Sequence, residues 1–247
     1  MARGLARERF AASIDAVTNF EPFSPLHGLL ILLFLSATAL LVSVGARLNP
    51  AARLRLDRNL GMAVIAVWIY SNGWWLLPAR FDAARSLPLH VCDVTSLLAG
   101  IVLLAPRRAL RAILYFWGIG MSLQAILTPE IAFEPDTIWF WIFWTSHSAI
   151  IAIAVYDIAV RGFRPDWRDF RIAVAAGVVY LAVVFTIDLV FGYNYGYVGN
   201  ARPGEASVID FLGPWPYRVV LMAVLVIGVM ALLMLPWHFR RKYREMK

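Results

Sequence analysis

Seven nearly uncharged runs constrain this chain more than any other feature: His27–Ala46, Leu60–Leu77, Pro88–Ala105, Leu110–Thr128, Ile138–Val160, Ile172–Phe191 and Pro216–Trp237. Each is close to the length of about 20 residues that carries an α-helix across about 30 Å of hydrocarbon. The bilayer interior offers no water to an open backbone, so each run has to satisfy its own hydrogen bonds as a helix. The fold predicted is an all-α integral membrane protein with seven transmembrane helices. With 61% apolar and 16% charged residues, the chain departs in the expected direction from soluble domains, which run near 45–50% and about 25%. The joining loops are too short for a soluble domain, so residues 1–247 are predicted as a single transmembrane domain.

The formal charge of +7 would suit a nucleic-acid binder, but its cations stand in short clusters beside the apolar runs, where they read as topology signals. Sixteen Lys and Arg fall in the 1–2, 3–4 and 5–6 loops and the C-terminal tail, against seven in the N-terminal tail and the remaining loops. The 4–5 loop carries only Glu130, Glu134 and Asp136. The prediction is therefore an N-terminus outside and a C-terminus in the cytoplasm, with no nucleic-acid partner and the lipid bilayer as surroundings. The alternating basic and apolar residues of Met1–Phe23 suit an amphipathic or flexible segment. Polar residues separate Arg3, Arg7 and Arg9 from the first apolar run, and that run exceeds the 7–15 residues usual in a signal peptide. The sequence sets no oligomeric state.

Within the spans, ionisable groups are costly and so point to function. The segment Leu87–Ser96 holds His90, Asp93 and Cys92, the chain's single cysteine. Cys92 shares a helical face with Thr95 and Ser96, whereas His90 and Asp93, three residues apart, share another and are candidates to pair. At about 1.5 Å per residue, Cys92 and Gln124 lie about 6 Å below the outer ends of their spans, Asp188 about 5 Å and His147 about 14 Å. Asn72 and Asn194 sit near outer ends. These groups converge on the outer half, the pattern of one cavity opening outward. A thiol becomes a nucleophile when a base takes its proton, and His147 is the available imidazole. His27 and His238 read as interfacial histidines. Trp74, Trp75 and Trp139–Trp141 read as interface belts, and Pro88, Trp215 and Pro216 as helix starts.

Leu87-Pro-Leu-His-Val-Cys-Asp, Tyr115-Phe-Trp-Gly, Gln124-Ala-Ile-Leu-Thr-Pro, Ser146-His147, Asn194-Tyr-Gly-Tyr and Leu212-Gly-Pro-Trp-Pro-Tyr resemble the YwaF-like bacterial membrane proteins and the transmembrane protein 164 family. More distantly, the chain is similar to androgen-induced-gene type intramembrane lipid hydrolases. The resemblance implies a phospholipid acyltransferase or hydrolase in which Cys92 is nucleophile and His147 base, without cofactor or metal. Membrane phospholipid or lysophospholipid would be substrate, in the bacterial inner membrane. His90, Asp93, Gln124, Asp188, Asn194 and Asn72 are supporting or substrate-binding candidates. Two other readings compete: a proton-coupled transporter using Asp93, His147 and Asp188, and a metal-dependent hydrolase using His90, Cys92, Asp93 and His147.

Overall fold

A computed structural model describes residues 20–131, 133–200 and 208–245. The amphipathic stretch expected before Phe20 lies outside them. The described residues form helices and no strand. The elements are α1 (Pro25–Arg47), α2 (Pro50–Trp75), α3 (Val91–Leu104), α4 (Arg108–Ile113), a π-helical turn Leu114–Ile119, α5 (Leu123–Leu127), α6 (Ile138–Ala159), α7 (Trp167–Phe191) and α8 (Tyr217–Glu245).

Local chemistry fixes where the helices start. Ser24 accepts the N–H of His27 and Asn49 that of Ala52, each followed by a proline in the first turn, where its missing donor costs nothing. Asp166 caps α7 by accepting from Arg168 and Asp169, and Asp169 reciprocates to the Asp166 N–H. Pro88 is not in a first turn as the sequence suggested: α3 begins after His90, leaving Pro88 in the connecting loop.

Five segments are long and apolar enough to cross a membrane: Pro25–Arg47, Arg108–Leu127, Ile138–Ala159, Trp167–Phe191 and Tyr217–Phe239. The other two predicted spans differ from the simple pattern. α2 extends ten residues before the predicted start and carries Arg53, Arg55, Asp57 and Arg58 in its first half, whereas α3 has only 14 residues. These two helices cross at glycines. A Cβ on Gly61 would lie 3.0 Å from the Gly100 carbonyl, and one on Gly100 would lie 2.6 Å from Ile65. Small residues let helix backbones approach where lipid supplies no hydrophobic drive to associate.

A buried ionic network closes one end of the bundle. Arg161 reaches Asp57 at 3.3 Å and Asp157 at 3.6 Å, while Arg111 pairs with Asp157 at 2.8 Å. The Tyr156 hydroxyl donates to Asp57 at 2.7 Å, and Arg108 pairs with Asp169 at 2.6 Å. Asp57, Asp157 and Asp169 are buried. Because charges taken from water need opposite charge or hydrogen bonds, this end holds α2, α4, α6 and α7 together. The opposite end carries the remaining buried polar groups.

Candidate functional site

At that opposite end, tyrosine and backbone contacts position the start of α3. Tyr195, wholly buried, donates its hydroxyl to the Ala83 carbonyl at 2.8 Å and accepts the Leu87 N–H at 3.0 Å. Tyr180, from the middle of α7, donates to the Leu89 carbonyl at 2.7 Å. The Gly196 N–H reaches His90 Nδ1 at 3.3 Å, and Trp68 Nε1–H donates to the Asp93 carbonyl at 2.8 Å. Gly196 has φ 60°, and a Cβ there would stand 2.9 Å from the Tyr180 hydroxyl, so the turn requires glycine. Sequence reasoning missed Tyr180 and gave Tyr195 no role; Asn194-Tyr-Gly-Tyr was the available signal.

His90 and Asp93 do not pair through their side chains. Asp93 instead accepts the His90 backbone N–H at 3.1 Å, a helix-capping bond, while His90 Nδ1 faces the Gly196 N–H. The reason is that His90 lies outside α3 as its N-cap, so the three-residue spacing does not place it on a shared helical face. Its ring packs edge-on to Tyr195, with centroids 5.2 Å apart.

Cys92 is a free, half-buried thiol in the first turn of α3. Nearby in the Asn194–Tyr197 turn, burial and Glu130, which accepts from Tyr197 at 3.0 Å, hold the Tyr197 hydroxyl neutral. His147 is buried in α6, and its Nδ1 donates to the Phe143 carbonyl at 2.8 Å, which leaves the Nε2 lone pair free. No hydrogen bond joins Cys92 to His147 among the described residues. Their helices share a core: Leu98, Ala99 and Val102 cluster with Ile150, Ile153 and Ala154.

The other predicted residues separate. Gln124 is exposed, and Asn72 turns its amide onto the Trp68 carbonyl of its own helix at 3.0 Å. Neither side chain joins the buried groups around His147. The π turn explains the change at Gln124: its i→i−5 bond from Ser122 to Trp117 inserts a residue and rotates the helix that follows. Ser122 is a buried polar side chain of that segment, and among the described residues its hydroxyl lacks a hydrogen-bond partner, as does Trp144 Nε1. Asp188 is 2% exposed at the end of α7 and accepts the Tyr195 N–H at 3.0 Å. Asn194 begins the turn that Tyr195 anchors, and its buried Oδ1 has no partner among the described residues.

His27, expected at headgroup level, is 2% exposed. Its Nε2 lies 2.8 Å from the Ile126 carbonyl and its Nδ1 accepts the Phe23 N–H, so both nitrogens are engaged in packing α1. Trp215, expected at a helix start, lies just before α8 and turns into the protein: its indole N–H donates to the Val198 carbonyl at 3.1 Å and its ring stacks on Phe185. Asp93, His147 and Asp188 bond to three different backbone groups, with no direct hydrogen bond among them. No cluster of three or more His, Cys, Asp or Glu suited to a metal ion occurs among the described residues.

No curated protein and no solved structure matches the chain. A family model does match, over residues 22–234, and it contains both the α3 segment and the Asn194–Tyr197 turn. This chain belongs to the TMEM164 family.

Proposed function

We propose that the chain is a membrane-embedded, Cys/His-dependent acyltransferase or hydrolase acting on phospholipid acyl chains. The observation that carries this reading is the 2.8 Å contact between His147 Nδ1 and the Phe143 carbonyl oxygen, an atom that can only accept. With Nδ1–H held by Phe143, Nε2 is the ring atom able to accept a proton. Cys92 lies in the first turn of the helix packed against α6.

In this reading, His147 Nε2 takes the Cys92 proton while the sulfur attacks the ester carbonyl carbon. The tetrahedral adduct collapses to an acyl thioester, and the departing lysolipid oxygen takes the proton from His147. Water or a lysolipid hydroxyl then gives its proton to His147 and attacks the thioester. Its collapse releases fatty acid or new ester, and Cys92 regains the proton.

The accompanying topology is a single domain of seven crossings in a bacterial inner membrane. In it, α2 and α3 join the five long apolar segments, the charged network faces the cytoplasm and the Cys92 end faces outward. Purified protein supplied with radiolabelled phospholipid tests the reaction. Loss of at least 100-fold in acyl transfer or release is expected for Cys92→Ala and His147→Gln, from removal of nucleophile or base. Undiminished turnover by Cys92→Ala would refute the proposal.

A further inference from the structure

A separate cavity of about 220 Å³ opens between the end of α7 and the loop before α8, bordered by Phe185, Asp188, Leu189, Val198, Gly199 and Trp215. Asp188 Oδ1 accepts the Tyr195 N–H, but among the described residues the buried Oδ2 has no hydrogen-bond partner. Asp188 forms no ion pair among the described residues; the nearby buried Arg218 donates instead to the Gly199 carbonyl at 2.6 Å. A second unmet acceptor stands beside this wall. Gly199 packs so closely on the Tyr193 and Asn194 backbone that a Cβ would not fit, and the buried Asn194 Oδ1 has no partner among the described residues.

Both unmet atoms are acceptors, one belongs to a carboxylate, and Asp188 lies in the last turn of α7, at the negative pole of the helix. The complement is a positive group with several N–H donors. Trp215 has engaged its own N–H with Val198 and, stacked on Phe185 with centroids 6.1 Å apart, supplies an apolar wall for attached carbon. Among the described residues, the side-chain oxygens bordering the cavity come from Asp188 and Asn200 alone, few for a hard metal cation, which takes six or so oxygen ligands, and a quaternary ammonium has no N–H to give. We propose that this cavity binds a primary ammonium group, with Asp188 Oδ2 as counter-ion. The proposal does not depend on the Cys92 chemistry.

The group can come from a soluble amine or a lipid head. Full-length protein in detergent, titrated calorimetrically with ethanolamine and with choline, reads the first source. Nanodiscs of mixed phosphatidylethanolamine, phosphatidylcholine and phosphatidylglycerol, analysed by native mass spectrometry, read the second. In at least one arm the ethanolamine form binds at least tenfold more tightly than the choline form, and Asp188→Asn weakens it at least tenfold. That variant retains an oxygen for the Tyr195 N–H. Equal binding of ethanolamine and choline forms in both arms overturns the proposal, as does binding in both arms that Asp188→Asn leaves unchanged. The comparison of head groups on the unmutated chain decides the matter even where the variant does not fold.

Discussion

Tyr195→Phe removes one oxygen and with it both bonds that tie the 83–87 loop to the Asn194–Tyr197 turn. The ring remains in its fully buried site, so no cavity forms and the effect isolates the hydroxyl. Two neutral hydrogen bonds at about 1 kcal/mol each give a loss of about 2 kcal/mol. For a chain of this size that corresponds to a fall in Tm of about 4–8 °C. If the loop opens locally, amide exchange over residues 82–90 accelerates by up to about 30-fold, the Boltzmann factor of the same free energy. The amides of α6 keep their protection. Hydrogen exchange by mass spectrometry, alongside thermal unfolding in detergent, reads both effects. Exchange over 82–90 that stays unchanged with Tm within about 1 °C would show that this hydroxyl does not anchor the start of α3, contrary to the site geometry.

Arg161→Met leaves Asp57 without its cation and Asp157 with Arg111 alone, and a destabilisation of about 3–5 kcal/mol is expected in equilibrium unfolding. Adding Asp57→Asn recovers part of that loss; strictly additive losses would contradict a coupled network. Burial and Glu130 hold the Tyr197 hydroxyl above the ordinary tyrosine value of about 10. The folded chain thus retains a proton that the unfolded chain releases, and stability falls as pH rises above about 10. Tyr197→Phe flattens that alkaline decline, measured by urea unfolding at several pH values; an identical slope in the variant would assign it to other tyrosines.

Much of the fold is legible because hydropathy runs report directly on the solvent a helix has to face. Residues Ile138–Val160 and Ile172–Phe191 anticipate α6 and α7 within a few residues. The early start of α2 was hidden because its Arg53–Arg58 stretch looks like a loop until Asp57 meets Arg161 and Tyr156 from distant sequence. Asp188 could be assigned to the interior from cost alone. Gln124 could not be excluded, since the π turn shifts the helical phase without a distinctive residue to mark it. His90 shows a similar limit: spacing assumes both partners are helical, whereas the chain enters α3 only after it. The aromatic anchors Tyr180, Tyr195 and Trp215 act through hydroxyl or indole contacts to backbone groups far along the chain, and no periodicity records such partners.

The central claim is that Cys92 carries an acyl group during turnover. Intact-mass measurement of the purified chain after brief incubation with a phospholipid donor tests it directly. The predicted result is a mass increase of one fatty acyl group that maps to Cys92, is released by hydroxylamine and is absent from Cys92→Ala. Acyl transfer or hydrolysis that proceeds at the same rate in Cys92→Ala, with no thioester on the unmutated chain, would contradict the account.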